Sequence, residues 1–425
     1  MFEPILLKND RPDRPATFDE YRHSGGYEAL TRMLRDGSPE KIMAALKDSG
    51  LRGRGGAGFP THLKWGSVPM DVPGPKYVIP NTDEMEPGTF KDRVLVNADP
   101  HMVIEGIILS GFAIQADRAI FFIRPSYEMD AELIERELTI AREAGFLGQN
   151  ILGSDFSFDI SVHRSGGRYI CGEASAQIKA IEGERVRPHK IQGVHETEHG
   201  LYGRPTLVNN VETLACVPHI VRNGGEWFKK LARTPDGAGS KLYTVAGKVQ
   251  KPGCYEYPIG TPLREILEEG AGGMVAGSGF KACMPGGAST SYMTAKDLDV
   301  AMDFDSLKKI GHRLGTAAVI VFDQNTCLVA ATLNLITFFC RESCGWCTPC
   351  REGLPFVKDL LERIENGEGK EEHIGMLEEL CNLMNKSYCA FAPGAVSPVR
   401  GLLKNFKNEV LEHISQHGCP LRCAK

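Results

Sequence analysis

The chain has 425 residues, 42% of them hydrophobic, and a formal net charge of −5. That is enough for two or three domains with real cores, and the charge offers no pull toward nucleic acid or a membrane surface. No apolar stretch reaches the ~18 residues of a membrane span, and MFEPILLKNDRPDRP at the start has no basic segment leading into an apolar run, so a cytoplasmic protein without membrane insertion is expected.

In chain order, Pro39 to Lys47 has a short helix pattern that ends at Gly50, and a glycine-rich loop runs from Gly53 to Gly58. Lys76 to Thr82 is a β-branched run with an acidic loop at its end. Met102 to Ala116 is helical and strongly apolar, Ala119 to Arg124 is a buried-strand run, Met129 to Ala144 an amphipathic helix, and Asp159 to His163 alternates like a strand. Strand–helix–strand–helix–strand at this spacing predicts a parallel sheet covered by helices, an α/β fold. Thr234 to Ser240 is a turn-rich linker. Beyond it, LYTVAGKVQKPGCYEYP reads as two strands joined at Lys251 to Gly253, followed by a helix from Pro262 to Glu269, and a small α+β domain extends to about Asp323. From Thr326 the pattern is helical almost to the end, with cysteine-rich interruptions.

Thirteen cysteines are many for a reducing compartment, where clustered thiols point to metal or redox chemistry. Scattered ones such as Cys216, Cys254 and Cys283 read as small buried apolar residues. The run Cys344-Gly-Trp-Cys347-Thr-Pro-Cys350 is different. Two-residue gaps let three thiolates converge on one polynuclear cluster, whereas tetrahedral zinc more often takes two separate pairs. Cys381, Cys389, Cys419 and Cys423 are the candidates for the fourth ligand. Cys389 sits in a loop that can fold back, Cys381 lies on an apolar helical stripe and reads as core, and Cys419 and Cys423 lie in a polar terminus that reads as frayed.

Gly53-Arg54-Gly55-Gly56-Ala57-Gly58 fits G-x-G-x-x-G, but a helix precedes it where a dinucleotide fingerprint requires a strand. Glycines at this density still let backbone amides approach a flat or phosphorylated ligand, and Arg52, Arg54 and Lys64 add positive charge. The alternative is a surface turn. Asn81-Thr-Asp83-Glu84-Met-Glu86 leaves the C-terminal end of the first strand, where open α/β sheets bind ligands; the alternative is a solvated acidic turn.

LRGRGGAGFPTHLKW, NTDEMEPGTFKDR, GRYICGE, GRPTLVNNVETL, ESCGWCTPCREG and CAFAPGA occur in one order. Together they closely resemble the flavin- and NADH-binding subunit of complex I, the proton-pumping NADH:quinone oxidoreductase, over nearly the whole chain. The resemblance implies a Rossmann-like FMN domain (1–235), a small ubiquitin-like domain (241–323) and a helical bundle with a [4Fe–4S] cluster (326–425). It implies hydride transfer from NADH to FMN and single electrons passed on through the cluster. Gly53, Arg54, Gly55, Gly56, Ala57, Gly58 and Phe59 would form the loop under flavin and nucleotide. Lys64, Asn81, Asp83, Asn209 and Asn210 would contact FMN, Glu86 would sit near the nicotinamide, and Tyr169, Gly172 and Glu173 would line the pocket. Cys344, Cys347, Cys350 and Cys389 would hold the cluster. The implied partners are a thioredoxin-like [2Fe–2S] subunit and a large multi-cluster subunit, which would hold the chain on the inner face of the cell membrane.

Departures from the family pattern concentrate on the nucleotide side. Pro60-Thr61-His62 stands for the usual PTG, and YICGEASA for YICGEETA, so Ala174 replaces a carboxylate that contacts the adenosine ribose. HKIQGVHETEHG replaces a proline-rich stretch with an adenine-stacking phenylalanine, and His195 stands at about that position. Losing the carboxylate removes a repulsion against a 2′-phosphate, so the donor is expected to be NADH bound weakly, NADPH or a protein carrier. Two other readings are the diaphorase part of a hydrogenase or formate dehydrogenase, and a relay subunit that has lost nucleotide binding.

Overall fold

Among the described residues eight strands form two sheets: β1 (Tyr77–Thr82), β2 (Arg118–Ile123), β3 (Asp159–Arg164) and β4 (Thr206–Asn210) in one, and β5 (Ser240–Gly247), β6 (Gly253–Pro258), β7 (Phe280–Met284) and β8 (Ala318–Asp323) in the other. The computed structural model describes residues 2–189 and 195–421. The chain divides into two compact units. One comprises Met1–Met85, Phe90–Tyr243 and Glu256–Thr261; the other comprises Glu86–Thr89, Thr244–Tyr255 and Pro262–Lys425.

In the first unit the strands are parallel in the order β3-β2-β1-β4. The chain fills one side of β1 with β2 and β3 before β4 pairs on the other, so the strand order reverses beside β1. The helix Pro100–Ile114 is buried on almost every face, as an apolar sequence without a polar stripe requires. It begins two residues before the predicted start, because Asp99 caps it by accepting the Met102 amide at 3.0 Å, and it ends where Gln115 turns left-handed. Several elements are not picked out in the sequence, two of which shape the first unit's site. The helix Lys91–Ala98 follows the acidic loop in a segment to which the sequence pattern assigns no element, and β4 is a five-residue strand too short to show a period.

In the second unit the sheet order is β6-β5-β8-β7, with β5 and β8 parallel and β7 antiparallel to β8. The helix expected from Pro262 to Glu269 is one α turn, Leu263–Glu265, running into a π turn, Ile266–Gly270. The amide of Ala271 bonds back to the carbonyl of Ile266, and this wide turn closes the helix. Helices Leu328–Glu342, Thr348–Glu365, Glu372–Leu383, Ser397–Asn405 and Lys407–Ser415 follow. Cys216 and Cys283 are buried as expected, whereas Cys254 is half-buried: it stands near the start of β6, on the face that becomes buried only further along, at Glu256 and Pro258. Cys419 is buried, 4% exposed, although its terminus reads as frayed: the chain folds back against the helices. Cys423 and residues 190–194 lie outside the described residues. No helix among the described residues is long and apolar enough to cross a membrane.

Gly106 lies where Pro100–Ile114 crosses the helix Val211–Asn223, and a Cβ there would stand 2.1 Å from the Leu214 carbonyl oxygen. Gly106→Ala is expected to destabilise the chain by about 3 kcal/mol, the upper part of the overpacking range, and thermal unfolding of the purified protein measures it.

Candidate functional site

The C-terminal ends of β1 and β4 carry the polar residues of the first unit's site. Registration pairs Pro80 with Asn209 and Asn81 with Asn210. This is the switch point of the sheet, where a crevice opens because the connections leave in opposite directions. Asn81 accepts the Asp83 amide at 2.9 Å and so turns the chain sharply out of β1. Asp83 is buried and accepts the Ser165 hydroxyl at 2.7 Å. The Asn209 side chain accepts from the Trp65 indole at 2.9 Å. Asn210 caps the helix Val211–Asn223, and its amide nitrogen donates to Asp92 at 2.7 Å and to the Asn81 carbonyl at 3.2 Å.

The glycine loop is tied at its neck. The Gly53 amide donates to the Phe59 carbonyl at 2.8 Å, and Arg52 and Pro60 form an antiparallel bridge. Gly56 (φ 125°) and Gly58 (φ 66°) have backbone angles that side chains disfavour. Gly55 and Ala57 are exposed, as is Phe59, while a Cβ on Gly55 would come within 3.1 Å of Asn210 Cβ. The loop therefore lies against the end of β4. The Arg54 side chain does not join it: its guanidinium is 1% exposed and donates to the Ala238 carbonyl at 2.6 Å, while its amide donates to the Thr213 hydroxyl. Lys64 ion-pairs with Glu196 at 3.2 Å.

A buried charge network beneath the strand ends escapes the sequence reading. Glu212, fully buried, holds Lys241 Nζ at 2.6 Å and Lys91 Nζ at 2.9 Å and accepts the Leu242 amide at 3.0 Å. Lys91 also reaches Asp92 at 2.5 Å and Asn210 Oδ1 at 2.9 Å. Burial alone would raise the Glu212 carboxyl; Lys241 and Lys91 overcome it and hold the group down at about 2. Glu84 is pushed the other way, to about 7, by burial first and Asp92 second. The only local signal was a Lys–Asp pair opening a helix, FKDR, which is ordinary on a surface.

Tyr169, Gly172 and Glu173 lie in and just after the turn Tyr169–Gly172, and Cys171 packs with Ile79 and Phe122 in a core cluster that draws this turn to the sheet. Gly172 is open, with nothing within 4 Å of a Cβ placed there. Glu173 caps the helix Ala174–Ile181 through the Ala176 amide at 2.9 Å and accepts the Ser175 hydroxyl at 2.5 Å. Ala174 packs on the same core cluster, and His195 is exposed. Glu86 belongs to the second unit, where its carboxylate accepts the Ser289 amide at 2.6 Å.

Two features suit the first unit to a polar ligand. Thr61 Oγ1, His62 Nδ1 and Thr82 Oγ1 are buried without a partner among the described residues, an arrangement that native proteins tolerate where a ligand completes the bonding. The open glycines admit a flat group. In the second unit Cys347 caps the helix Thr348–Glu365, and Cys350 lies in its first turn. Burial pushes the Cys350 thiol up to about 12; a Ser343 hydrogen bond opposes this, and Cys347, Cys389 and Cys344 add to it, so all four cysteines are within electrostatic reach. No three of their sulfurs lie within 4.8 Å of one another among the described residues, as ligands of a single ion would. An all-thiolate set with wider spacing fits an iron–sulfur cluster.

Residues 46–219 match the family model of the Nuo51 FMN-binding domain, 242–290 the SLBB domain, and 330–413 the NADH-ubiquinone oxidoreductase-F iron-sulfur binding region. The chain is 47% identical over 423 residues to the second NADH-quinone oxidoreductase F subunit of Rhizobium meliloti strain 1021, covering 99% of this chain and 100% of that one. It is 46% identical to the NADH-quinone oxidoreductase F subunit of Escherichia coli K12, covering 96% and 92%. A chain of the air-oxidised NAD+-reducing [NiFe]-hydrogenase superposes with TM-score 0.82 at 34% identity, covering 94% of this chain and 67% of that one.

Glu212→Gln leaves two buried ammonium groups facing a neutral amide. The substitution is expected to cost about 3–5 kcal/mol, the range for breaking a buried pair. The carboxyl is held below its ordinary 4.5, so its stabilisation is complete above that pH and is lost as pH falls toward 2. Denaturant melts at pH 7 and pH 3.5 should show a smaller gap between parent and variant at the lower pH.

Proposed function

The chain belongs to the family of NADH-quinone oxidoreductase F subunits, and from that premise we propose how its residues carry the chemistry. It is an oxidoreductase subunit, the electron-input flavoprotein of a multi-subunit NADH:quinone oxidoreductase, with FMN and a [4Fe–4S] cluster as cofactors and NADH as reductant. FMN, when bound, supplies the conversion between a two-electron hydride donor and one-electron acceptors.

Gly55, Gly56, Ala57, Gly58 and Phe59 cradle the flavin through backbone amides, while Gly53 and Arg54, whose amides are bonded to Phe59 and Thr213, hold the loop in place beneath it. Asn81, Asp83, Asn209 and Asn210 orient it by hydrogen bonds, and Lys64 contributes charge. The observation that carries this reading is the switch point: β1 and β4 end side by side with Asn81 opposite Asn210, and the glycine loop lies against Asn210. Lys91 and Lys241 keep Asn210 and Glu212 fixed beneath it. Tyr169, Gly172 and Glu173 line the nucleotide side. Cys344, Cys347, Cys350 and Cys389 ligate the cluster. Functionally the chain has three parts, 1–235 for FMN, 241–323 ubiquitin-like and 326–425 for the cluster. Its partners are a thioredoxin-like [2Fe–2S] subunit and a large multi-cluster subunit, which hold it at the inner face of the cell membrane. The likeness to the hydrogenase chain favours a second reading, the diaphorase part of such an enzyme. Affinity capture of the native protein separates the two by whether quinone-oxidoreductase or hydrogenase subunits come with it.

Ala174 and His195 set the nucleotide preference. A missing bond to a ribose hydroxyl costs ~0.5–1.5 kcal/mol and a missing stacking partner ~0.5–1.5 kcal/mol more, which together weaken NADH about tenfold or more. Flavin bleaching titrated with NADH and NADPH should show weak NADH binding and little discrimination. Ala174→Glu combined with His195→Phe should tighten NADH about tenfold and restore the preference; tight, selective NADH binding by the parent protein would show that other residues hold the adenosine.

A further inference from the structure

The second unit contains a further cluster of ligating side chains, remote in sequence from the cysteine run. Cys327, Glu365, His413 and Cys419 bring one ligand atom each to within 4.8 Å of all the others. They come from four places: the N-cap of the helix Leu328–Glu342, the last residue of Thr348–Glu365, the helix Lys407–Ser415, and the segment after it. Glu365, His413 and Cys419 are buried, and Cys327 is half-buried. We propose that these four residues bind a structural zinc ion.

The spacing is that of ligands around a tetrahedral ion. With Zn–S near ~2.3 Å and Zn–N and Zn–O near ~2.0–2.1 Å, the tetrahedron sets S···O at about 3.6 Å, N···O at about 3.3 Å and S···N at about 3.5 Å. Cys327 Sγ lies 3.6 Å from Glu365 Oε2, His413 Nε2 lies 3.3 Å from the same oxygen, and Cys327 Sγ is 3.2 Å from His413 Nε2. The surroundings also suit a metal. His413 Nδ1 donates to the Glu409 carbonyl at 2.7 Å. A carbonyl only accepts, so Nδ1 carries the hydrogen and Nε2 is the ligand nitrogen, as the outer partner of a metal-bound histidine dictates. Cys327 Sγ accepts the Ala330 amide at 3.2 Å at a helix N-terminus, where a thiolate is favoured. Two thiolates, an imidazole and a carboxylate suit zinc in preference to magnesium or calcium, which take oxygen. Four protein ligands leave no open position, as in a structural site.

The location gives the role. Leu328–Glu342 and Thr348–Glu365 pack as a hairpin whose connecting loop carries Cys344 and Cys347. Cys327 and Glu365 are at its open end, one helix length away, about 22–27 Å at ~1.5 Å per residue. The ion therefore pins the two free ends of the hairpin to the C-terminal helix and the segment beyond it, and takes no part in holding the cluster.

The test is metal analysis of the full-length protein carrying its flavin and cluster, equilibrated with zinc and freed of loose metal on a chelating resin. The expected result is about one zinc per chain. Cys419→Ser and His413→Gln should each lower zinc at least tenfold with iron and flavin unchanged, and Cys389→Ser should do the reverse. Should the variants fail to fold, zinc-edge X-ray absorption of the parent protein decides: two sulfurs with two lighter ligands support the site. Zinc-free protein, zinc unaffected by the substitutions, an all-sulfur zinc shell, or a Cys327–Cys419 disulfide in peptide maps would overturn it.

Discussion

Glu212 is the charge on which the first unit's site depends. It is fully buried and carries two ammonium groups within 3 Å, those of Lys241 and Lys91. Taking three charges out of water is costly, and such a group is tolerable only when every partner is in place. That condition has structural consequences. Lys91 must open its helix beside Asn210, Lys241 must enter from β5, and the helix Val211–Asn223 must begin where Asn210 caps it. The network fixes the positions of Asn210 and Asp92 and, through Asn210, the floor beneath the glycine loop. A site built on loops thereby gains the rigidity that binding a flat cofactor requires.

The second unit solves the corresponding problem with sulfur. A hairpin of helices holds a short cysteine loop at one end, and the opposite end is gathered by a thiol, a carboxylate and an imidazole with Cys419 beside them. Buried Glu and His are rare without a compensating partner. Their convergence on two thiols makes a second metal the simplest physical reason for placing them there.

Local pattern made much of this legible. The parallel sheet was readable because β1 and β2 are apolar runs and β3 alternates, with one strongly apolar and one amphipathic helix between them, and the glycine and cysteine runs were readable because their spacing is itself the chemistry. What escaped the sequence is non-local. β4 is short and acquires meaning only by pairing with β1, and without it the switch point is invisible. Arg54 reads as a surface cation beside a ligand loop, yet its guanidinium turns inward to the Ala238 carbonyl while Gly55, Ala57 and Phe59 of the same loop are exposed. Cys327 and Cys419 are 92 positions apart, counting from the numbering, and no spacing rule joins them.

The proposed place of FMN is against the glycine loop at the ends of β1 and β4. FMN binding to the deflavinated full chain, followed by flavin fluorescence, tests it most directly in Gly55→Ala. Gly55 is exposed and has a backbone angle open to alanine, and the added methyl would stand 3.1 Å from Asn210 Cβ, between the loop and the end of β4 where the flavin is proposed to lie. The expected result is an FMN dissociation constant at least tenfold larger, with iron content and thermal stability close to the parent's. An unchanged FMN affinity in that variant would contradict it.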